Sequence, residues 1–402
     1  MSHPAWVEVD LAALVHNAGI LRRAIPDDAQ LGLLVKANAY GHGLEMTARA
    51  AVAGGADQLI VATLDEALAL RRLGQEGPLM VVYPVPADGV GDAVEAGIEM
   101  SVSGLGSVRR TLDAWAAVRD RLPNRALSLH VEVDTGMGRG GLSTDEVADG
   151  MRMIDAAAGT RIVGIWSHLA DGRDVGLSRE QTRRFESAVA SLAMAGRPVP
   201  RRHLVATEGL FAGSAPAYEM ARVGLAFYGE LGLGFEPSPT HASLAASLRP
   251  ALAVKARPVR VEVMPAGGSV GYGGEWTGDR PSRIATLPLG YADGWTRSFW
   301  PGGSALVRGR RVPLIGRVSM DSVCADVTDV GDVTLEDEFV LLGGQGAERI
   351  TPNELALRRG TIPNEIFCSF GPRLPRVYVG EHGWVATSQQ AERVERGHHT
   401  PW

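Results

Sequence analysis

The 402-residue chain is poor in several things, and each scarcity excludes something. Its two cysteines, Cys324 and Cys368, cannot make a disulfide framework or a multi-thiolate metal centre, which suits a reducing compartment. Positive charge is not in excess: 40 Lys and Arg face 46 Asp and Glu, a formal net charge of −6, so no basic field exists to hold nucleic acid by its phosphates. No apolar run reaches the roughly 18 residues of a membrane span. The start, Met1-Ser2-His3-Pro4, lacks the charged-then-apolar layout of a signal peptide, so the expected location is cytoplasmic. No metal-ligand cluster is visible, and no metal is expected. What the chain does have is 45% hydrophobic residues against 21% charged, enough for a large ordinary core.

Through the first half, short apolar runs alternate with stretches of helical spacing. Strands are expected at Gln30–Val35, Gln58–Ala62, Leu79–Tyr83, Glu99–Val102, Leu127–Val133, Ile162–Ser167, Arg202–Val205 and near Ala221–Phe227. Helices are expected at Asp10–Arg23, Leu64–Leu73, Ser107–Ala117, Ser143–Ala158 and Ser178–Ala195, the last two with Ser143 and Ser178 as N-caps. Alternation implies parallel strands, because each parallel pair needs a crossover. Eight strands in about 230 residues fit a (β/α)8 TIM-like barrel, an α/β fold; a doubly wound sheet is the rival. After Tyr228-Gly229-Glu230 the texture becomes β, with expected strands at Ala251–Met264, Arg283–Leu289, Ser304–Ile315, Ser322–Val327 and Glu338–Leu342. The expected domains are a barrel over 1–240, whose first ten or so residues could pack with the second domain, and a mainly-β domain over 241–382. A polar, flexible tail is expected over 383–402.

Barrel chemistry gathers where strands end. Lys36 follows the first strand directly, where poor solvation lowers an amine's pKa and readies it for a Schiff base; a snorkelling surface lysine is the plainer alternative. Later strand ends add Glu132, Asp134 and Arg139, then Ser167-His168, then Thr207 and Arg222. Residues 136–141, Gly-Met-Gly-Arg-Gly-Gly, match a dinucleotide fingerprint. They fall in the fifth βα unit, and Arg139 would fill the gap where backbone must approach a pyrophosphate, so that match is discounted.

Val35-Lys36-Ala37-Asn38-Ala39-Tyr40-Gly41-His42-Gly43 resembles the pyridoxal phosphate (PLP) lysine motif of alanine racemases. Further motifs follow in the family's order: Asp134-Thr135-Gly136-Met137-Gly138-Arg139, Ser167-His168-Leu169-Ala170, the run Arg222 to Gly229, Val270-Gly271-Tyr272-Gly273, Gly290-Tyr291-Ala292-Asp293-Gly294 and Gly316-Arg317-Val318-Ser319-Met320-Asp321. The resemblance spans roughly residues 5–380. It implies a PLP barrel followed by a β-domain, and racemisation of a small amino acid, alanine before serine or a larger one. Racemisation removes a proton on one face and delivers one on the other, so two acid/base groups are the natural solution. The resemblance assigns Lys36 and Tyr272, the latter from the partner subunit, which implies a homodimer with shared sites. It places Tyr40, Thr207, Gly224 and Leu225 on the cofactor phosphate and Arg222 on the pyridine nitrogen, with His168 and Arg222 helping Tyr272 act as a base. It places Arg139 near the ring phenolate and substrate carboxylate, Met320 of the partner on that carboxylate, Tyr291 at the entrance and Asp321 in support. A guanidinium accepts no proton and stays charged, so it leaves the nitrogen unprotonated and the ring a weaker electron sink. A lyase or decarboxylase on the same barrel would need a metal or distal specificity site that is not seen, and a PLP-carrier protein would lack the second domain and the Tyr272 motif.

Three positions depart from the family's pattern. Glu132 stands where many relatives carry a lysine that becomes carbamylated, and is expected to orient Arg139 by a charge-assisted hydrogen bond. Pro372 stands where relatives have a tyrosine, which removes a hydroxyl and widens or reshapes the pocket. Ala206 replaces an asparagine before the phosphate-binding hydroxyl, itself Thr207 instead of serine.

Overall fold

The computed structural model describes residues 3–194, 196–380 and 383–387. The chain forms two compact units. One holds Ala13–Ala39 and Leu44–Arg249; the other holds the residues before Ala13, Tyr40–Gly43 and those from Pro250 on. The break therefore falls about nine residues beyond the expected 240/241 boundary, after the short helix Ala242–Ala246.

The chain enters through strand β1 (Ala5–Asp10), which belongs to the second unit. The first unit then contributes β2 (Gln30–Leu34), β3 (Gln58–Val61), β4 (Leu79–Val81), β5 (Ile98–Val102), β6 (Leu127–Glu132), β7 (Thr160–Trp166), β8 (Arg201–His203) and β9 (Met220–Val223). All neighbours are parallel, in the order β8-β7-β6-β5-β4-β3-β2-β9. This succession, with β9 beside β2, is a barrel rather than a doubly wound sheet. The backbone N–H of Arg222 donates to Val205 O at 3.0 Å across the remaining seam. Every residue of β3, β4, β6 and β9 is buried, as expected of strands covered on both faces. Ile60, Met80, Trp166 and Met220 form one core cluster, joined by Leu34 and Val82.

The helix Leu64–Arg72 begins with a capping box between Thr63 and Glu66. The two caps expected at Ser143 and Ser178 are corrected. The helix after β6 spans Val147–Ala156, and Ser143 instead opens a turn, its N–H donating to Glu146 Oε2 at 3.0 Å. Ser178 is buried inside the helix Val175–Met194, and its hydroxyl donates to Asp171 O. Asp174, one turn earlier, accepts from Leu177 N–H at 2.9 Å. With several cap-competent residues in a row, packing of the helix decided which one starts it.

The second unit adds β10 (Leu252–Ala256), β11 (Arg260–Met264), β12 (Ser269–Val270), β13 (Trp276–Thr277), β14 (Ser282–Leu287), β15 (Ser304–Val307), β16 (Arg310–Ile315), β17 (Val323–Asp326), β18 (Phe339–Gln345), β19 (Glu348–Ile350), β20 (Arg376–Gly380) and β21 (Gly383–Thr387). The main sheet runs β11-β14-β17-β16-β15-β18-β10-β1-β20-β21, with β19 on β18. β1 pairs antiparallel with β10 and parallel with β20. The single strand expected at 251–264 is two, interrupted around Pro258, which has no N–H for a ladder. The run 304–315 is a hairpin turned by Arg308 and Gly309, both at positive φ (52° and 71°), as a two-residue hairpin loop requires. Two helices, Pro352–Arg359 and Pro363–Ser369, interrupt the β texture, each with proline in its first turn. The tail expected from 383 is corrected at its start: residues 383–387 pair with β20, and its remainder lies outside the described residues.

Candidate active site

Lys36 stands just past β2, at the head of a left-handed turn. Ala37, Asn38, Ala39 and Tyr40 have φ of 55°, 52°, 54° and 51°, a conformation that costs a non-glycine residue roughly 1–2 kcal/mol. The barrel holds the turn in place. Ala37 N–H donates to Glu66 Oε1 at 2.6 Å, while Glu66 Oε2 accepts from Ala62 and Thr63. Asn38 Oδ1 accepts from Leu44 N–H at 2.8 Å. Strain of this kind, over-determined by its surroundings, belongs at functional positions. Glu66 is thus part of the site's support, legible in the sequence only as a helix cap.

Arg222, on β9, is 4% exposed. Its Nη1 donates to His203 Nδ1 at 2.9 Å and His203 O at 2.8 Å. Its Nη2 donates to Ser167 O at 2.7 Å, Leu204 O at 3.3 Å and, weakly, His168 Nδ1 at 3.4 Å. The guanidinium also lies 4.7 Å over the Trp166 ring. These bonds use both terminal nitrogens and leave Nε–H free. Burial lowers the Arg222 pKa to about 9, which still leaves a cation at neutral pH. His168 is pushed down to about 3, by burial first and then by the charges of Arg222, Arg139 and Lys36, so its imidazole is neutral.

Thr207 opens the helix Thr207–Ala212, and its Oγ1 accepts from Ala226 N–H at 3.2 Å. This sets the hydroxyl against the 3-10 turn Leu225–Tyr228. The amides of Gly224 and Leu225 open that turn, where no intrahelical acceptor exists. The Gly-Met-Gly-Arg loop is organised differently from a dinucleotide cradle. Asp134 Oδ1 accepts from the N–H groups of Gly136, Met137 and Gly138 at 2.9–3.1 Å, so a carboxylate already fills the loop's concave side.

A cavity of about 280 Å³ is lined by Lys36, Ser103, Glu132, Arg139 and Trp166 among others. The expected hydrogen bond from Arg139 to Glu132 is corrected: Glu132 Oε2 accepts from Ser103 Oγ. Glutamate is shorter than a carbamylated lysine, so it meets the hydroxyl at the end of β5, which sequence reasoning missed. Arg139, exposed, acts on Glu132 only as a charge. Burial pushes the Glu132 carboxyl up, against the pull of Ser103, Arg139 and Arg222.

The remaining sequence-predicted residues lie on the second unit. Tyr272 sits in the turn between β12 and β13 and is 66% exposed; Met320 and Tyr291 are 51% and 40% exposed. Their loops meet. A Cβ on Gly316 would lie 2.6 Å from Val270 O, and Tyr291 N–H donates to Ser319 O at 3.0 Å. Asp321 Oδ1 accepts from Arg373 Nη2 at 2.8 Å, and Arg373 Nε lies 3.0 Å from the buried carboxylate of Asp293. Tyr40 is buried, which raises its phenol pKa, with Cys368 adding to the shift. Pro372 is exposed.

The donor set of the barrel fits PLP. Lys36 offers an amine to its aldehyde, the Thr207 hydroxyl and two turn-opening amides suit its phosphate, and the free Nε–H of Arg222 suits its ring nitrogen. Among the described residues no group of His, Cys, Asp and Glu could hold a metal ion, and no helix is long and apolar enough to cross a membrane.

Comparison with known proteins bears on the family of the whole chain. Family models of the alanine racemase N-terminal and C-terminal domains match residues 9–231 and 251–378. Alanine racemase 2 of Caldanaerobacter subterraneus subsp. tengcongensis is 37% identical over 94% of this chain and 95% of its own. Among solved structures, alanine racemase from Bacillus anthracis with bound L-Ala-P superposes with a TM-score of 0.87 at 29% identity, covering 96% of this chain and 97% of that one. A histidine racemase from Leuconostoc mesenteroides subsp. sake gives a TM-score of 0.83 at 26% identity, covering 94% and 98%. With both family models matched in order over most of its length, and relatives of this identity along it, the chain belongs to the alanine racemase family.

Proposed function

We propose that this protein is an isomerase that racemises a small amino acid, alanine first, with PLP held at Lys36, and that it works in the cytoplasm as a homodimer. The free Nε–H of Arg222, the one guanidinium donor that its neutral acceptors do not take, carries the proposal, because a group with an aromatic nitrogen acceptor completes it. When bound, PLP acidifies the substrate Cα–H by drawing its electron pair into the ring.

This chain's own side chains do the rest. Lys36 Nζ moves the proton on one face of the substrate. The Tyr272 hydroxyl of a second copy serves the other face, and the exposure of Tyr272, Met320 and Tyr291 supports burial against a second copy. Arg222 Nε–H donates to the ring nitrogen without protonating it, and the Tyr272 phenol gains a base's character from Arg222 and the neutral His168 imidazole. Thr207, Gly224, Leu225 and the Tyr40 hydroxyl hold the phosphate. Arg139 and the Met320 N–H receive the substrate carboxylate, Tyr291 narrows the entrance, Asp321 braces its loop through Arg373, and Glu132 sets the field around Arg139.

A second substrate, serine or a larger amino acid, is favoured by Pro372, which offers neither the hydroxyl nor the aromatic ring of the tyrosine that lines the pocket in relatives. The test is incubation of the holoenzyme with single L-amino acids, alanine, serine and histidine among them, in D2O. Chiral analysis and NMR should show both enantiomers and deuterium at Cα, fastest for alanine. Absence of exchange with every substrate overturns racemisation; histidine or serine ahead of alanine overturns the substrate.

A further inference from the structure

The barrel interior holds titratable groups that this reaction does not use. Beyond the bond from Arg222 Nη1 to His203 Nδ1, His203 Nε2 lies 2.9 Å from His130 Nδ1, and His130 Nε2 lies 2.8 Å from Glu99 Oε2. Both histidines are fully buried. The same Glu99 oxygen accepts from Gln58 Nε2 at 2.6 Å and Arg201 Nη2 at 3.1 Å. A guanidinium only donates and a carboxylate only accepts, so the chain's polarity is set from both ends. Each imidazole accepts at Nδ1 on the Arg222 side and donates from Nε2–H on the Glu99 side.

The charges agree with that polarity. Burial drives His203 far below the usual histidine range, and drives His130 down against the pull of Glu99, so both imidazoles are neutral at pH 7. Burial pushes Glu99 up, but its bond to His130, the charge of Arg201 and the Gln58 bond outweigh it and hold the carboxyl well below the usual carboxylate range. The space is shaped for this contact. A Cβ on Gly164 would fall 2.1 Å from His130 Nδ1 and 2.9 Å from His203 Nε2. The ladder between β6 and β7 also shifts register at His130, and His203 stacks on Trp166 with the rings 7° from parallel.

Every acceptor of the Arg222 guanidinium is neutral, and Glu99 is the anion at the end of its hydrogen-bonded chain. We propose that Glu99, acting through His130 and His203, is a positioning residue that sets how strongly Arg222 donates to the cofactor's ring nitrogen. This rests on the placement of that nitrogen at Arg222 Nε–H. The Glu99 charge draws each proton along the chain toward itself, pulls the Nη1 proton of Arg222 toward His203 and so weakens Nε–H as a donor. Without the charge, Nε–H donates more strongly and the ring becomes a stronger electron sink. A proton then returns more often to the cofactor carbon than to substrate Cα; water releases the keto acid and the amino group stays on the cofactor. Proton conduction is not the role, because the guanidinium at the end has no lone pair to take a proton.

The test uses holoenzyme carrying 15N in histidine and in the cofactor ring. In the wild type, His130 and His203 should each show one proton, on Nε2; a proton on Nδ1 of either, or a doubly protonated ring, overturns the inference whether or not any variant folds. Glu99→Gln should move the ring-nitrogen resonance toward the protonated-pyridine value and raise keto acid formed per racemisation event about threefold, a modest change suited to one charge relayed through hydrogen bonds. Glu99→Asp should restore both. If Glu99→Gln moves neither while Arg222→Lys moves the resonance, the relay is wrong. If Arg222→Lys also leaves the resonance in place, the placement of the nitrogen at Arg222 falls instead, and the relay with it.

Discussion

The two units present the side chains proposed for the site in opposite ways. In the barrel, Arg222, His203 and His130 are buried, and Arg222 meets only neutral acceptors while one donor stays free. On the β-unit, Tyr272, Met320 and Tyr291 stand exposed on loops held by contacts within that unit. A buried polar group must find its partners inside its own fold, whereas an exposed one is partnered by water until something covers it. The buried barrel donors are therefore fixed by partners within their own unit, whereas the exposed side chains of the β-unit are held only through their loops.

That contrast predicts how variants divide. Lys36→Ala should remove the yellow chromophore and lower kcat by more than about 10⁴-fold; retained chromophore or near-normal turnover would defeat the assignment. Tyr272→Phe should lower kcat by about 10²–10⁴-fold yet leave unfolding free energy within about 0.5 kcal/mol, as befits an exposed residue. A large stability loss there would blur the contrast.

Acid should attack the barrel through its histidines. His130, His168 and His203 have folded pKa values below the ordinary histidine value, so below pH 6.5 the unfolded chain binds protons that the folded chain refuses. Stability is then lost as pH falls from about 6.5, by up to about 1.4 kcal/mol per pH unit for each histidine, and for His168 the loss continues to about 3. Glu132 and Glu208, pushed up by burial, take up protons in the folded state and offset part of the slope. Urea midpoints at pH 7, 6 and 5 should fall steadily; a flat series would contradict neutral buried imidazoles.

Gly164→Ala probes the same interior sterically. Its methyl group would press on the His130–His203 contact and should cost about 1–3 kcal/mol, measured by urea unfolding against Gly106→Ala, whose Cβ would meet only the flexible tip of Arg110 at 3.4 Å. Equal stabilities would mean that the interior has slack. The smallest effect is expected at Glu132→Gln, which keeps an acceptor for Ser103 but removes the charge near Arg139. KM should rise a few-fold with kcat nearly unchanged, and unchanged kinetics would leave Glu132 as an ordinary interior acid.

Much of the fold was legible because its signals are local. Burial on both faces makes β4 and most of β3 continuous apolar runs, while β6 alternates apolar residues with Ser128, His130 and Glu132, and the expected strands fall within a few residues of the observed ones. Lys36, Arg139, His168, Thr207 and Arg222 could be named as candidates from the sequence because they stand in barrel strands or in the loops after them. Ser103, Glu66 and Glu99 were not. Ser103 shows its meaning only when β5 lies beside β6, and Glu66 serves first as a cap. The expected bond between Glu132 and Arg139 failed for the related reason that a nearer hydroxyl from another strand took the carboxylate.

The sequence by itself determined the alternation of strand and helix, the lysine after the first barrel strand and the ordered motifs that place the chain in its family. These are properties of neighbours along the chain. Only the tertiary structure decided that His130 and His203, 73 residues apart, share a hydrogen bond and that the free donor of Arg222 is Nε–H. Hydrogen bonds are short and directional, so such pairings exist only once the barrel's register brings side-chain atoms from separate strands to hydrogen-bonding distance, 2.9 Å for His130 and His203.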